Sequence, residues 1–141
     1  MMARPVPRID RAAPSATVLS DSTSGGQRYV ELRVVAPSGS TSLDMRVRNV
    51  QVVASAIDGL VVDTTRYRQR SAMWTMQYWA VPDSGAKVSL TLRGADRVEL
   101  DLLARSSGLP TLAGVTIPAR PDDVVPVQYG DVTVVRRRLV F

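Results

Sequence analysis

Histidine and cysteine are both absent from this chain of 141 residues. Without imidazole it lacks the commonest general base, the commonest divalent-metal ligand and the usual partner in a nucleophilic triad. Without thiols it has no disulfide, no thiolate nucleophile and no cysteine-held zinc, and its redox compartment is left undecided. It also lacks an apolar run of about 18 residues, the length needed for a membrane-spanning helix. No apolar core of a signal peptide follows Met1-Met2-Ala3-Arg4-Pro5. The expectation is either a cytosolic protein or a piece of a longer one.

What is present is ordinary for a soluble domain: 45% apolar and 22% charged residues. The length suits one domain able to bury its core without staples. Net charge is +5, and Lys87 is the single lysine among eighteen basic residues. Such a bias toward arginine is what a GC-rich genome produces. The excess is modest and acids are interspersed, so nucleic acid is not an expected partner.

Residues 1–15 carry Pro5, Pro7 and Pro14 with little periodicity, and read as a tail or linker before a domain over 16–141. Thereafter short strands and turns alternate, with no clear helical period. Thr17 and Leu19 open a strand, and Ser22-Thr23-Ser24-Gly25-Gly26 turns the chain. Val30, Leu32 and Val34 alternate with Tyr29, Glu31 and Arg33; Leu43, Met45 and Val47 alternate with Asp44, Arg46 and Arg48. Period 2 of this kind marks a strand with one wet face. Asp58-Gly59 between apolar runs is a hairpin signal, because both central residues of a type I′ turn need positive φ. Residues 63–72 are polar and irregular. Met73 to Val81, then Val88 to Leu92, then Val98 to Leu102, continue the series. A proline-bearing connection over 106–130 reads as an ordered strap over a sheet edge, and Val132 to Phe141 form the last strand. About eight strands with turn signals every 10 residues or so predict an all-β fold: a single antiparallel β-sandwich, immunoglobulin-like or jelly-roll-like.

Candidate chemistry is sparse. Asp122-Asp123 and the pair Glu99 with Asp101 offer oxygen ligands suited to calcium or magnesium, without the spacing of a known loop. They read as solvated surface acids. As an acid/base pair, Glu99 and Asp101 lack the sugar-stacking aromatics of a glycosidase cleft, and Arg97 shares their face. The turn serines have no activating base at motif spacing, and Gly-x-Ser-x-Gly is absent. No catalytic residue, cofactor or metal ligand is assigned to this chain.

The candidate interaction residues are arginines and one tryptophan. Arg66, Arg68 and Arg70 alternate, which places them on one face of an extended chain. Arg136 and Arg138 lie in the last strand, where they either guard a sheet edge or dock on anionic lipid or an acidic partner. Trp74 and Tyr78 share one face of their strand, and Trp79 takes the other. Trp79 is thus the candidate for an exposed ring.

Several segments together resemble a known domain. They are Val53-Ala54-Ser55-Ala56-Ile57-Asp58-Gly59, the run Met73 to Gly85, Val88-Ser89-Leu90-Thr91-Leu92, Val98-Glu99-Leu100-Asp101-Leu102, Arg105-Ser106-Ser107-Gly108-Leu109-Pro110, and Asp131-Val132-Thr133-Val134-Val135-Arg136. In order and spacing they resemble the C-terminal extracytoplasmic β-sandwich of bacterial membrane-anchored M28-family zinc peptidases. Val18-Leu19-Ser20-Asp21 and Arg28 to Val34 also fit, so the likeness covers most of 16–141. These are strand and turn signatures, not catalytic ones. The resemblance implies a non-catalytic accessory domain, with zinc and aminopeptidase activity confined to a separate peptidase domain of the parent. It implies the parent's peptidase domain and membrane region as partners, with self-association also compatible. It places the domain at the periplasmic or extracellular side of a bacterial inner membrane. The rival expectation is a free-standing carbohydrate- or protein-binding module.

Overall fold

The computed structural model describes residues 9–63, 73–94, 97–125 and 130–141. They form nine strands: β1 (Ser15–Ser24), β2 (Gln27–Val35), β3 (Ser40–Arg48), β4 (Gln51–Ile57), β5 (Leu60–Val61), β6 (Met73–Trp79), β7 (Ala86–Arg93), β8 (Glu99–Ser107) and β9 (Val132–Val140). All pairings are antiparallel. They build a five-stranded sheet, in the order β1-β2-β7-β4-β5, and a four-stranded sheet, in the order β6-β3-β8-β9. The expected β-sandwich is the fold. With β5 and β6 set aside, β1-β2-β7-β4 against β3-β8-β9 has the strand order of a constant-type immunoglobulin domain.

The alternating apolar residues meet between the sheets. Leu32, Val34, Val88 and Leu92 come from the five-stranded side, and Leu43, Met45, Leu100 and Leu102 from the four-stranded side; none is more than 1% exposed. Burying each such side chain stabilises by about 1.5–3 kcal/mol. Trp74, Met76 and Tyr78 pack against this core from β6, while Met73, Thr75, Gln77 and Trp79 face out. One polar group is enclosed with them: Ser55 is 4% exposed and its Oγ has no partner.

Turn chemistry accounts for the sharpest reversals. Asp58 and Gly59 have φ of 48° and 84°, with Ile57 opposite Leu60, as the hairpin signal required. The first turn is tighter than the run of small residues suggests. β1 continues through Ser24, and Gly25-Gly26 alone make the reversal. Ser22 and Thr23 are drawn into the ladder opposite Tyr29 and Arg28, because a two-residue primed turn twists with its strands and holds them paired to the tip. Gly85 is required for a different reason. Its φ is +76°, and a Cβ there would collide with the carbonyl oxygen of Val34.

The segment between β8 and β9 was expected as a strap over a sheet edge; residues 126–129 of it lie outside the described residues. Its described contacts tie it to its own base. The Gly108 amide donates to the Asp131 carbonyl, Thr133 Oγ1 donates to the Gly108 carbonyl, and Arg120 pairs with Asp131. Between these ties the segment curls around a cavity of about 500 Å³ lined by Leu109, Leu112, Val115 and Ile117 among others.

Candidate interaction face

Antiparallel register places four side-chain rows across the outer surface of the four-stranded sheet. From β6 to β9 these are Trp79–Ser42–Arg105–Val134, Gln77–Asp44–Leu103–Arg136, Thr75–Arg46–Asp101–Arg138 and Met73–Arg48–Glu99–Val140. At strand and residue spacings the face measures about 14 by 20 Å. It holds five arginines against three acids, so it carries an excess of two positive charges.

Asp101 organises one half of this face. It projects outward, yet it is only 1% exposed, because three guanidiniums cover it. Arg138 grips it side-on, with Nε 2.9 Å from Oδ1 and Nη2 3.3 Å from Oδ2. Arg136 does the same diagonally, at 3.2 and 2.8 Å. Arg48 Nε lies 3.2 Å from Oδ2 but at an angle that makes no hydrogen bond, so that contact is charge against charge. The hydrogen bond from Arg138, with that of Arg136, holds the Asp101 carboxyl below the usual carboxylate range, against the upward push of burial. Asp101 in turn raises the pKa of Arg138. The expectation of a solvated surface acid is therefore corrected for Asp101. The pattern placed it outside the core, but only the register of β3 and β9 shows that arginines roof it over.

Asp44 organises the other half. Arg105 Nη2 donates to its Oδ2 at 2.7 Å, and Gln77 Nε2 donates to its Oδ1 at 2.9 Å. Beside them Ser42 is fully buried, and its Oγ has no partner. Trp79, opposite Ser42 on β6, is 52% exposed. The ring is thus on the surface and borders the charged rows.

The structure places three of the residues singled out by sequence on this one face, Trp79 at its β6 edge and Arg136 and Arg138 at its β9 edge. Arg66, Arg68 and Arg70 lie outside the described residues. Asp44, Arg48 and Arg105 were not singled out, and Asp101 was weighed only as a metal ligand or an acid/base group. The available signal was the matched period-2 alternation of acids and arginines in β3, β8 and β9, which becomes a contact map only once the strand order is known. Asp122 and Asp123 lie exposed in the β8–β9 segment. Among the described residues, no three acidic side chains converge to hold a metal ion.

Comparison with known proteins returned no matching family model, no matching curated protein and no matching solved structure. None of the three links this chain to the M28 peptidases.

Proposed function

We propose that this chain is a non-catalytic interaction module, the accessory β-sandwich of a larger protein, and that it works through the outer face of its four-stranded sheet. The observation that carries the reading is the roofed carboxylate. A single buried Asp101 holds Arg136 and Arg138 side-on, with both side chains about half exposed. Fixing guanidinium planes in this way lowers the ordering cost of a later contact. A sequence without imidazole or thiol supports a binding role over a catalytic one.

The resemblance names the parent as a membrane-anchored M28-like zinc metallopeptidase facing the periplasm or cell exterior. The peptidase domain of that parent is then the partner. Reading the gene outward tests the parentage: an encoded zinc-peptidase domain and membrane helices are expected, and their absence removes the M28 reading. The face is tested separately with Arg48→Ser/Arg136→Ser. This variant should keep the circular dichroism of the native sandwich and lose association with the peptidase domain. Unchanged association would remove the face from the proposal.

One observation favours a second reading, the free-standing binding module. Trp79 is half exposed, as a ring platform needs. Glycan binding abolished by Trp79→Ala would select this reading.

A further inference from the structure

The backbone of β9 offers a more specific site. Val98 and Phe141 exchange both backbone hydrogen bonds, and the Gly108 amide donates to the Asp131 carbonyl. Hydrogen-bonded and non-hydrogen-bonded pairs alternate along an antiparallel ladder. Residues 133, 135, 137 and 139 therefore turn their N–H and C=O groups toward β8. Val132, Val134, Arg136, Arg138 and Val140 turn theirs away, and no described strand pairs with that edge.

Exposed edges are normally blunted by charge, a bulge or shortness. β1, at the edge of the other sheet, has a bulge between Val18 and Ser20. β5 is two residues long. β6 is regular but carries no charged side chain by which to read a partner. β9 keeps one register with β8 through nine consecutive pairs, and Val134, Arg136, Arg138 and Val140 all remain about half exposed. Its arginines do not screen the edge in the usual way. Arg136 and Arg138 fold back over β8 onto Asp101. Each uses Nε and Nη2 there, and Nη1 of Arg136 takes no part in the grip.

We infer that β9 accepts an extended, acid-rich polypeptide segment as an added fifth strand of the four-stranded sheet. Strand addition draws affinity from main-chain hydrogen bonds and specificity from alternate side chains. The incoming residues opposite Arg136 and Arg138 lie on the charged outer face, at the same repeat of about 6.8 Å as the arginines. Carboxylates belong there. On the other face Val135 and Leu139 flank Arg137, so the residue opposite Arg137 is also acidic and those opposite Val135 and Leu139 are apolar. The pattern read across the strand is apolar–acid–acid–acid–apolar. A polypeptide is favoured over lipid or a polyanion because neither of those satisfies a row of alternating backbone donors and acceptors.

This inference deepens the reading of the chain as an interaction module and rests on it. The probe is a blocked synthetic peptide of valine, three glutamates and valine, flanked by threonines, titrated into the whole chain with amide exchange followed by nuclear magnetic resonance. Binding should slow exchange at the Arg136 and Arg138 amides by about tenfold or more at saturation. Methylating the peptide nitrogens that face those residues should weaken binding about tenfold while leaving the charge intact. Val134→Pro, which removes an edge N–H and no bond to β8, should weaken it similarly. Unslowed β9 amides, or equal affinity for the methylated peptide, would overturn strand addition. So would stronger binding of phosphatidylglycerol vesicles or heparin than of the peptide. If Arg48→Ser/Arg136→Ser breaks attachment to the peptidase domain while the peptide leaves β9 unprotected, strand addition fails and the module reading stands.

Discussion

The two sheets share one core but carry their surface charge differently. On the five-stranded sheet, Glu31 meets Lys87 at 3.1 Å and Ser89 at 3.3 Å, and both charged side chains are about 40% exposed. The Lys87 ammonium holds the Glu31 carboxyl below its ordinary value. Even so, water and salt screen such a pair, and exposed pairs contribute little. On the four-stranded sheet, Asp101 has the same kind of outward position but is closed off by three guanidiniums. One carboxylate is a surface decoration and the other is a structural keystone. The difference lies in what surrounds each residue across the strands, since both sit in a period-2 run of the same character.

The largest test of that contrast is Asp101→Ala. It leaves Arg48, Arg136 and Arg138 facing one another without their anion. Because all three remain partly solvated, they can retreat to water, and the loss should be roughly 2–3 kcal/mol rather than the larger figure for fully buried pairs. Urea denaturation of the variant beside the native chain measures it. A loss near zero would make the two carboxylates equivalent.

Acid comes next. A carboxyl whose pKa is lowered by folding contributes stability that is present above its unfolded value, about 4, and lost as pH falls through the lowered native value. Thermal midpoints should therefore stay nearly flat between about pH 5 and 8, where no histidine titrates. They should fall below about pH 4. Asp101→Asn should flatten part of that acid limb even in high salt, whereas Glu31→Gln should alter it only at low salt.

Asp44→Asn should cost less, about 1–2 kcal/mol, since an amide still accepts one of the hydrogen bonds from Arg105 and Gln77. Chemical denaturation resolves a change of that size. Glu31→Gln closes the series with no measurable shift in thermal midpoint at physiological salt. A shift matching that of Asp44→Asn would erase the distinction between the two faces.

Much of the fold was legible in the residues themselves. Val30, Leu32 and Val34, and Leu43, Met45 and Val47, occupy the core as their alternation requires, and Asp58-Gly59 turns where its torsions allow. Trp79 was separable from Trp74 and Tyr78 by parity alone. The site was less legible. Arg136 and Arg138 were visible as an exposed pair, but Asp101 looked like any other surface acid, because burial by neighbouring arginines leaves no mark on the local pattern. What the β8–β9 segment contacts was illegible for a related reason. Prolines signal order without saying what the ordered chain lies against, and here its ties are to its own base.

Alternation with period 2, and glycine or aspartate where φ must be positive, determined which residues face inward and where the chain reverses. Both properties act over two to four residues, so the linear order of amino acids contains them. Strand order and register were decided only by the tertiary structure, since cross-strand contacts join positions such as Arg48, Asp101 and Arg138 that are far apart in the chain. Whether a carboxylate is solvated or enclosed, and which edge of a sheet is left unpaired, follows from those long-range pairings and from nothing local.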